Sequence, residues 1–323
     1  MTKPYLRILA PAEGREYSSF YLYLPAAEGH DEYFTEYRFL YEVNPIKPEL
    51  GYGEGPNDPA NRKFYRIRTA YLVKREGDTF APMFRALQDG EIGFAMKEQG
   101  AGDFVGGFHG DEVLTDVSLT VDGRAMPLDT PYFGTFESLE FYEQSYITRC
   151  NTPDEHILLH TQRYTVDGNT LRLAQDLEWT ADARPIHSAF TPMLTAQRLD
   201  PQDLDRILSE TVELLDGEGN ILAQFDTTDY GRDRIGSPSD SVCLNTPATA
   251  VRVYGKESGF MAEAGYTVRE GIPPEHIKTY LCIRHMRGAV DNKIYFDIAR
   301  DTAPKKGDAW RSDIYYRVTY GVK

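Results

Sequence analysis

Between Asp103 and Glu112 the chain reads DFVGGFHGDE, which sets glycines 106, 107 and 110 around His109 with Asp111 and Glu112 beside it. Glycines let a backbone approach a ligand closely, and an imidazole oriented by a carboxylate can act as base or acid near neutral pH. The same groups could equally supply ligands to a divalent metal, and no other cofactor is expected. The structural alternative is a glycine-rich turn in which His109 and Asp111 bond to their own backbone.

A second set comes from strand periodicity. His160, Gln162 and Tyr164 fall on one face of a predicted strand, so imidazole, amide and phenol share a surface suited to sugar binding and proton transfer; a solvated sheet face has the same polar alternation. Arg163, on the opposite face, could join Arg172 across the hairpin. His187, just before an apolar segment, and the pair His285 and Arg287, at a strand end, could border the same groove. A histidine satisfied by backbone is the structural reading of either place. The 44 to 68 region adds Tyr52, Asn57, Asn61, Arg62, Tyr65, Arg66 and Arg68. Aromatic planes stack on sugar rings, Asn binds hydroxyls and the Arg fork fits a uronate carboxylate. Tyr packing and Arg surface pairing would also account for them. The Gly106 to Glu112 loop is expected beside the 52 to 68 segment in one groove.

Positioning these groups falls to strands. Asp167-Gly168 separates two alternating runs, with Leu158, His160, Gln162, Tyr164 and Val166 on one face of the first and Leu171, Leu173, Gln175, Leu177 and Trp179 on one face of the second. That is a hairpin signature. Similar turns occur at Asp122-Gly123, between 117 and 128, and at Asp216 to Asn220, between 211 and 225. Further strands are expected at 248–255, 278–287, 293–298 and 312–320, and short helices near 201–207 and 81–98. Glycine and proline cluster at 44–59, read as a surface loop rather than a linker. The fold class is therefore all-β: one large antiparallel β-sandwich domain spanning 1–323, resembling a supersandwich, with few short helices.

Composition narrows function. The 323 residues carry 35 Lys and Arg against 50 Asp and Glu, a net charge of −15 that disfavours nucleic acid and anionic membrane as partners. No apolar run approaches the roughly 18 to 20 residues that cross a bilayer, and Met1 to Pro11 lacks the apolar core of a secretory signal. Three dispersed cysteines suggest neither a disulfide framework nor a zinc knuckle. A reducing, cytoplasmic location is expected, and homo-oligomerisation is left open. Phosphate loops, dinucleotide fingerprints, GxSxG elbows and HExxH are absent from the sequence.

The stretch HTQRYTVDGNTLRLAQDLEWTAD at 160–182, followed by Phe190-Thr191-Pro192-Met193-Leu194, resembles the strand pairs of galactose-mutarotase-like supersandwich proteins. So does the ending NKIYFDIARDTAPKKGDAWRSDIYYRVTY. The resemblance covers the C-terminal half, implies a carbohydrate ligand and does not choose the chemistry. The first expectation is a lyase cleaving a uronate-containing glycan by β-elimination, which needs a cation for the carboxylate, a base and an acid. The alternatives are a glycoside hydrolase drawing on Asp111, Glu112, Asp176 or Glu178, and a non-catalytic glycan-binding or assembly protein.

Overall fold

The computed structural model describes residues 2–44, 62–88, 92–150, 152–227, 241–244, 247–271, 276–286 and 289–321. The molecule is nearly all β. One sheet runs in the order Ser241–Leu244, Lys278–Met286, Ala289–Asp297, Ile186–Gln197, Thr79–Leu87, Arg62–Glu76, Tyr33–Asn44, Phe20–Pro25, Tyr5–Ile8 and Tyr132–Thr135, with Ala95–Glu98 also paired to Ile186–Gln197. The other runs Ile221–Asp226, Thr211–Leu215, Ala250–Tyr254, Phe260–Glu270, Ala309–Tyr320, Thr170–Trp179, Thr152–Asp167, Leu139–Arg149, Glu112–Val121 and Arg124–Met126. We call them the first and the second sheet. Neighbouring strands in both are antiparallel, as short connections between sequential strands require.

The core lies between the sheets and is held by rings from both. Phe20 meets Phe141 at 4.9 Å, Phe39 meets Tyr164 at 5.1 Å, and Tyr266 meets Phe296 at 4.9 Å. Such pairs contribute about 0.5–1.5 kcal/mol beyond their buried area. The hairpins form where the Asp-Gly signals stand: Asp167 pairs with Thr170, and Val121 pairs with Arg124. At the second turn Asp122 and Gly123 adopt φ 50° and 73°, the left-handed pair that a two-residue hairpin demands.

Two expected helices are strands instead. Asp203–Ile207 pairs with Leu199–Asp200, and 81–98 is divided between Thr79–Leu87 and Ala95–Glu98. Phe80, Phe84 and Leu87 are spaced four and three apart, which imitates a helical stripe. The spacing arises from register shifts against Arg62–Glu76, at Ala70/Tyr71 and Leu72/Val73, which break the two-residue alternation.

Candidate functional site

The residues singled out in the sequence separate into different places. At Gly106, Gly107 and Gly110 φ is 85°, 51° and 74°. Their freedom serves packing on their own chain: a Cβ on Gly107 would lie 2.8 Å from the Phe94 carbonyl oxygen. His109 closes a short 3-10 turn, Gly107–His109, with Nδ1 at 3.6 Å from Asp103 Oδ1 rather than on Asp111 or Glu112. Asp111 faces Arg62, Oδ1 to Nε 3.8 Å. Glu112 turns inward. The expected orientation of His109 by Asp111 or Glu112 is therefore not what the structure shows, and among the described residues no cluster of three or more His, Cys, Asp or Glu is placed to hold a metal ion.

Glu112 meets His160 inside the sandwich, 48 residues away in sequence, Oε1 to Nδ1 2.9 Å. Both are about 2% exposed. Ser145 donates to the same oxygen, and the Gly107 N–H donates to Oε2 at 3.0 Å. Burial pushes the Glu112 carboxyl up, but the His160 contact with the Ser145 and Gly107 hydrogen bonds outweighs it and holds the group below its ordinary range. On the far side His160 Nε2 lies 2.9 Å from Gln175 Nε2, and Gln175 Oε1 accepts from Thr191 Oγ1 at 2.7 Å. With the amide nitrogen donating, the imidazole proton sits on Nδ1, facing Glu112. Tyr164 is also buried and donates to Gln162 Oε1 at 2.7 Å. The face expected to be a flat sugar-binding surface is thus core. Opposite it across the hairpin stand Leu171, Leu173, Leu177 and Trp179, which must be buried, so His160 and Tyr164 are buried with them.

One neighbour carries the opposite electrostatics. Glu143 accepts from the Tyr65 N–H at 2.7 Å; burial, reinforced by the Glu112 charge, raises its carboxyl well above the ordinary range. Between that range and the raised value the folded chain holds a proton that the unfolded chain has released, so stability falls as pH rises through the window. Glu143→Gln, which mimics the neutral acid, should melt like the parent near pH 4 and increasingly above it as pH rises. Melting curves offset equally at every pH would show that Glu143 does not titrate in this way.

The remaining expectations divide similarly. Arg62 adjoins the 106–112 loop and donates to Thr148 Oγ1 at 3.2 Å, so one residue of the 52–68 segment lies beside the loop, but it is buried. Tyr65 does not join it. Its ring lies among Phe20, Tyr41 and Phe141, and its hydroxyl donates to the Ser18 carbonyl at 2.9 Å. Arg66 pairs with Glu42 at 2.6 Å. His187 is exposed, with Nδ1 at 3.0 Å from Ser188 Oγ. Asp176 is bound by Arg269 and Glu178 is exposed, both on the outer face of the second sheet and remote from Glu112 in the core. Glu112 therefore has neither of them as a partner, while Asp176 and Glu178 share one outer strand face. Tyr52, Asn57, Asn61 and Arg287 lie outside the described residues, as does the His285 side chain.

Among the described residues a cluster of rings lies on the outer face of the first sheet, built on the buried Phe190, Met193 and Tyr295 with Phe104 and Tyr280 packed against them. Phe104 stacks toward Phe190 at 5.8 Å, Phe190 meets Tyr295 at 5.1 Å and Tyr280 at 5.6 Å, and His109 approaches Phe104 at 5.0 Å. The result is a band of rings crossing neighbouring strands. Phe104, His109 and Tyr280 are half-buried, which leaves ring surface at the solvent boundary. Alternation explains the placement: Leu194, Ala196, Ile294 and Phe296 fill the core between the sheets, so Met193, Thr195, Lys293 and Tyr295 point to the other face of the first sheet, where all four are buried beneath the half-exposed Phe104 and Tyr280. Thr195 Oγ1 is 3.4 Å from the Tyr295 hydroxyl, and the Lys293 ammonium stands 5.8 Å from the Tyr295 ring centre. Further along, Gln197 Oε1 accepts from Gln88 Nε2 at 2.7 Å and Arg85 Nε at 3.3 Å. Chemically this is a stacking platform bordered by a phenol, an ammonium and amides.

No family model matches the chain, and no curated protein matches it. Among solved structures it is similar to one described as a "Putative aldose 1-epimerase" from Escherichia coli K12, with 12% sequence identity over 78% of this chain and 96% of that one and a TM-score of 0.33. So distant a likeness assigns no residue here. Of the sequence-derived candidates only His109 reaches the ring band. Sequence pattern alone does not single out Phe104, Phe190, Tyr280, Lys293 and Tyr295, although Lys293 and Tyr295 alternate with Ile294 and Phe296 and so had to point to the other face of the sheet, where both are buried.

Proposed function

We propose that the protein acts on a uronate-bearing carbohydrate at the ring band, by β-elimination. The observation that carries this reading is the contiguous Phe104, Phe190, Tyr295 and Tyr280 platform with Lys293 and Thr195 at Tyr295. Rings bind the apolar faces of sugar units, while a cation beside them neutralises a carboxylate and so acidifies the adjacent ring proton. In this scheme Lys293 holds the uronate carboxylate. The Tyr295 oxygen, positioned by Thr195 and acting as phenolate, takes the ring proton; the electron pair left behind forms the double bond as the glycosidic oxygen departs, and the phenol so formed returns the proton to that oxygen. His109, beside Asp103 at the other end of the band, binds the departing side. Non-catalytic glycan binding is the second reading, favoured by the predominance of rings over titratable groups in the band.

The test is a panel of uronate-containing and neutral glycans, followed for the ultraviolet absorbance of an unsaturated product and for new reducing ends. Elimination gives both signals on uronate substrates. Reducing ends without absorbance would replace elimination by hydrolysis, and retention without either signal would leave a binding protein. His109→Ala should weaken uronate-glycan turnover through KM more than through kcat. A large loss confined to kcat would move His109 to the proton-transfer step.

A further inference from the structure

The outer face of the first sheet does not end at the ring band. Arg85, bonded to Gln197, lies opposite Tyr71 on the next strand. Arg38 stands over Tyr71 at 4.2 Å and over Tyr21 at 5.1 Å. Tyr21 is opposite Arg7, whose guanidinium covers Tyr23 at 5.8 Å and Phe133 at 4.9 Å. Rings and cations therefore alternate strand by strand from Arg85 to Phe133, and the ring band extends the strip to Tyr280. The path crosses nine strands, about 38 Å at the usual strand spacing.

Its far end is a second aromatic cluster. Tyr23, Phe34 and Val73 are buried there, with Tyr5, Tyr21 and Phe80 against them, and Phe133 is 40% exposed on the edge strand Tyr132–Thr135. Arg75 stands over Tyr5 at 4.7 Å. Arg38 is neutralised by Glu36. Among the described residues neither Arg7 nor Arg75, whose Nε donates to the Gly77 carbonyl, forms a salt bridge with a carboxylate, and both are half-exposed on a chain of net charge −15. A basic, ring-bearing strip on an acidic protein attracts a polyanion to that face and repels it elsewhere.

We infer that this strip is a remote binding surface for an extended anionic glycan, so that the substrate is a polymer held from the ring band to Phe133 and not a single sugar or short oligosaccharide. The inference rests on the carbohydrate reading of the ring band. Guanidiniums stacked on rings still present their edges to carboxylates, and exposed rings accept sugar faces, so one polymer satisfies both. An isologous contact between two copies would oppose Arg7 and Arg75 to themselves, and an acidic peptide would leave the sugar-stacking rings unused.

The experiment measures binding of long-chain polygalacturonate and of its short oligomers to the parent, Arg7→Ala, Phe133→Ala and Arg75→Ala proteins at two salt concentrations, with dextran and polyglutamate as controls. Each substitution lies far from the ring band, and melting curves verify folding; Arg75→Ala provides the answer if Phe133→Ala fails to fold. Each variant should lose about tenfold or more in affinity for the long chain, the scale of a lost charged contact, with a shallower salt dependence for the Arg variants. Binding of short oligomers and turnover on them should stay at the parent level. Unchanged long-chain affinity in the folded variants, or no long-chain binding by the parent, would overturn the surface. Equal affinity for polyglutamate would replace the glycan by an acidic protein segment. A concentration-dependent dimer abolished by Arg7→Ala would replace it by a second copy. The two readings fail separately. Variant-sensitive long-chain binding without turnover removes the elimination chemistry and keeps the surface, whereas turnover with no effect of Arg7 or Phe133 does the reverse.

Discussion

Tyr295→Phe should lower turnover of a uronate glycan by about 10²-fold or more, the scale of a lost positioned acid or base, while KM changes little. The substitution keeps the ring that packs on Phe190 and Tyr280, so the platform and its stacking remain. It removes only the hydroxyl, which faces Thr195 at 3.4 Å. Thr195→Val, which deletes the orienting partner and leaves the phenol in place, should cost less. Lys293→Met should behave differently again. The ammonium is assigned to the substrate carboxylate, so its loss should raise KM and lower kcat for uronates and leave any retention of neutral glycans unchanged. This three-way pattern separates proton transfer from positioning and from charge neutralisation. Near-parent kcat in a folded Tyr295→Phe protein would remove the phenol from the reaction.

Strand content was legible because local chemistry dictates it. The turns at Asp122-Gly123 and Asp167-Gly168 need left-handed backbone, and the runs beside them alternate in period two. The same reading failed where bulges interrupted the alternation, as at 79–87. It also failed to decide which face of Thr152–Asp167 is buried, although the leucines of Thr170–Trp179 settle that once the two strands are paired face to face. Periodicity assigns His160 to a face of its strand without saying which face meets the other sheet. The ring band escaped for another reason. Phe104, Phe190, Tyr280 and Tyr295 are contributed by segments up to 191 residues apart in sequence, and only the order of strands in the sheet makes them neighbours. The Glu112 and His160 pair was named residue by residue but not as a pair, since nothing local links two groups on non-adjacent strands of one sheet.

That pair supplies the largest stability effect. Glu112→Ala should destabilise the fold by about 3–5 kcal/mol, the range for removing one partner of a buried ion or hydrogen-bonded pair. The deletion leaves the His160 N–H, the Ser145 hydroxyl and the Gly107 N–H without their acceptor in a site closed to water. It also opens a cavity. The Glu112→Leu, His160→Leu double variant should lose much less than the sum of its single substitutions, because apolar groups of similar volume need no partners. pH supplies an independent check. The carboxyl of Glu112 lies below its ordinary range in the folded state, so its contribution is present above the ordinary carboxylate range and fades as pH falls through the folded value. Parent and Glu112→Ala melting temperatures should therefore converge toward acid, opposite in sign to the trend expected at Glu143. If Glu112→Ala instead melts like the parent but loses turnover, the pair is chemical rather than structural. The link to the ring band would then be positional, running through the hydrogen bonds from Glu112 to His160, Gln175 and Thr191 and so to the strand that carries Phe190.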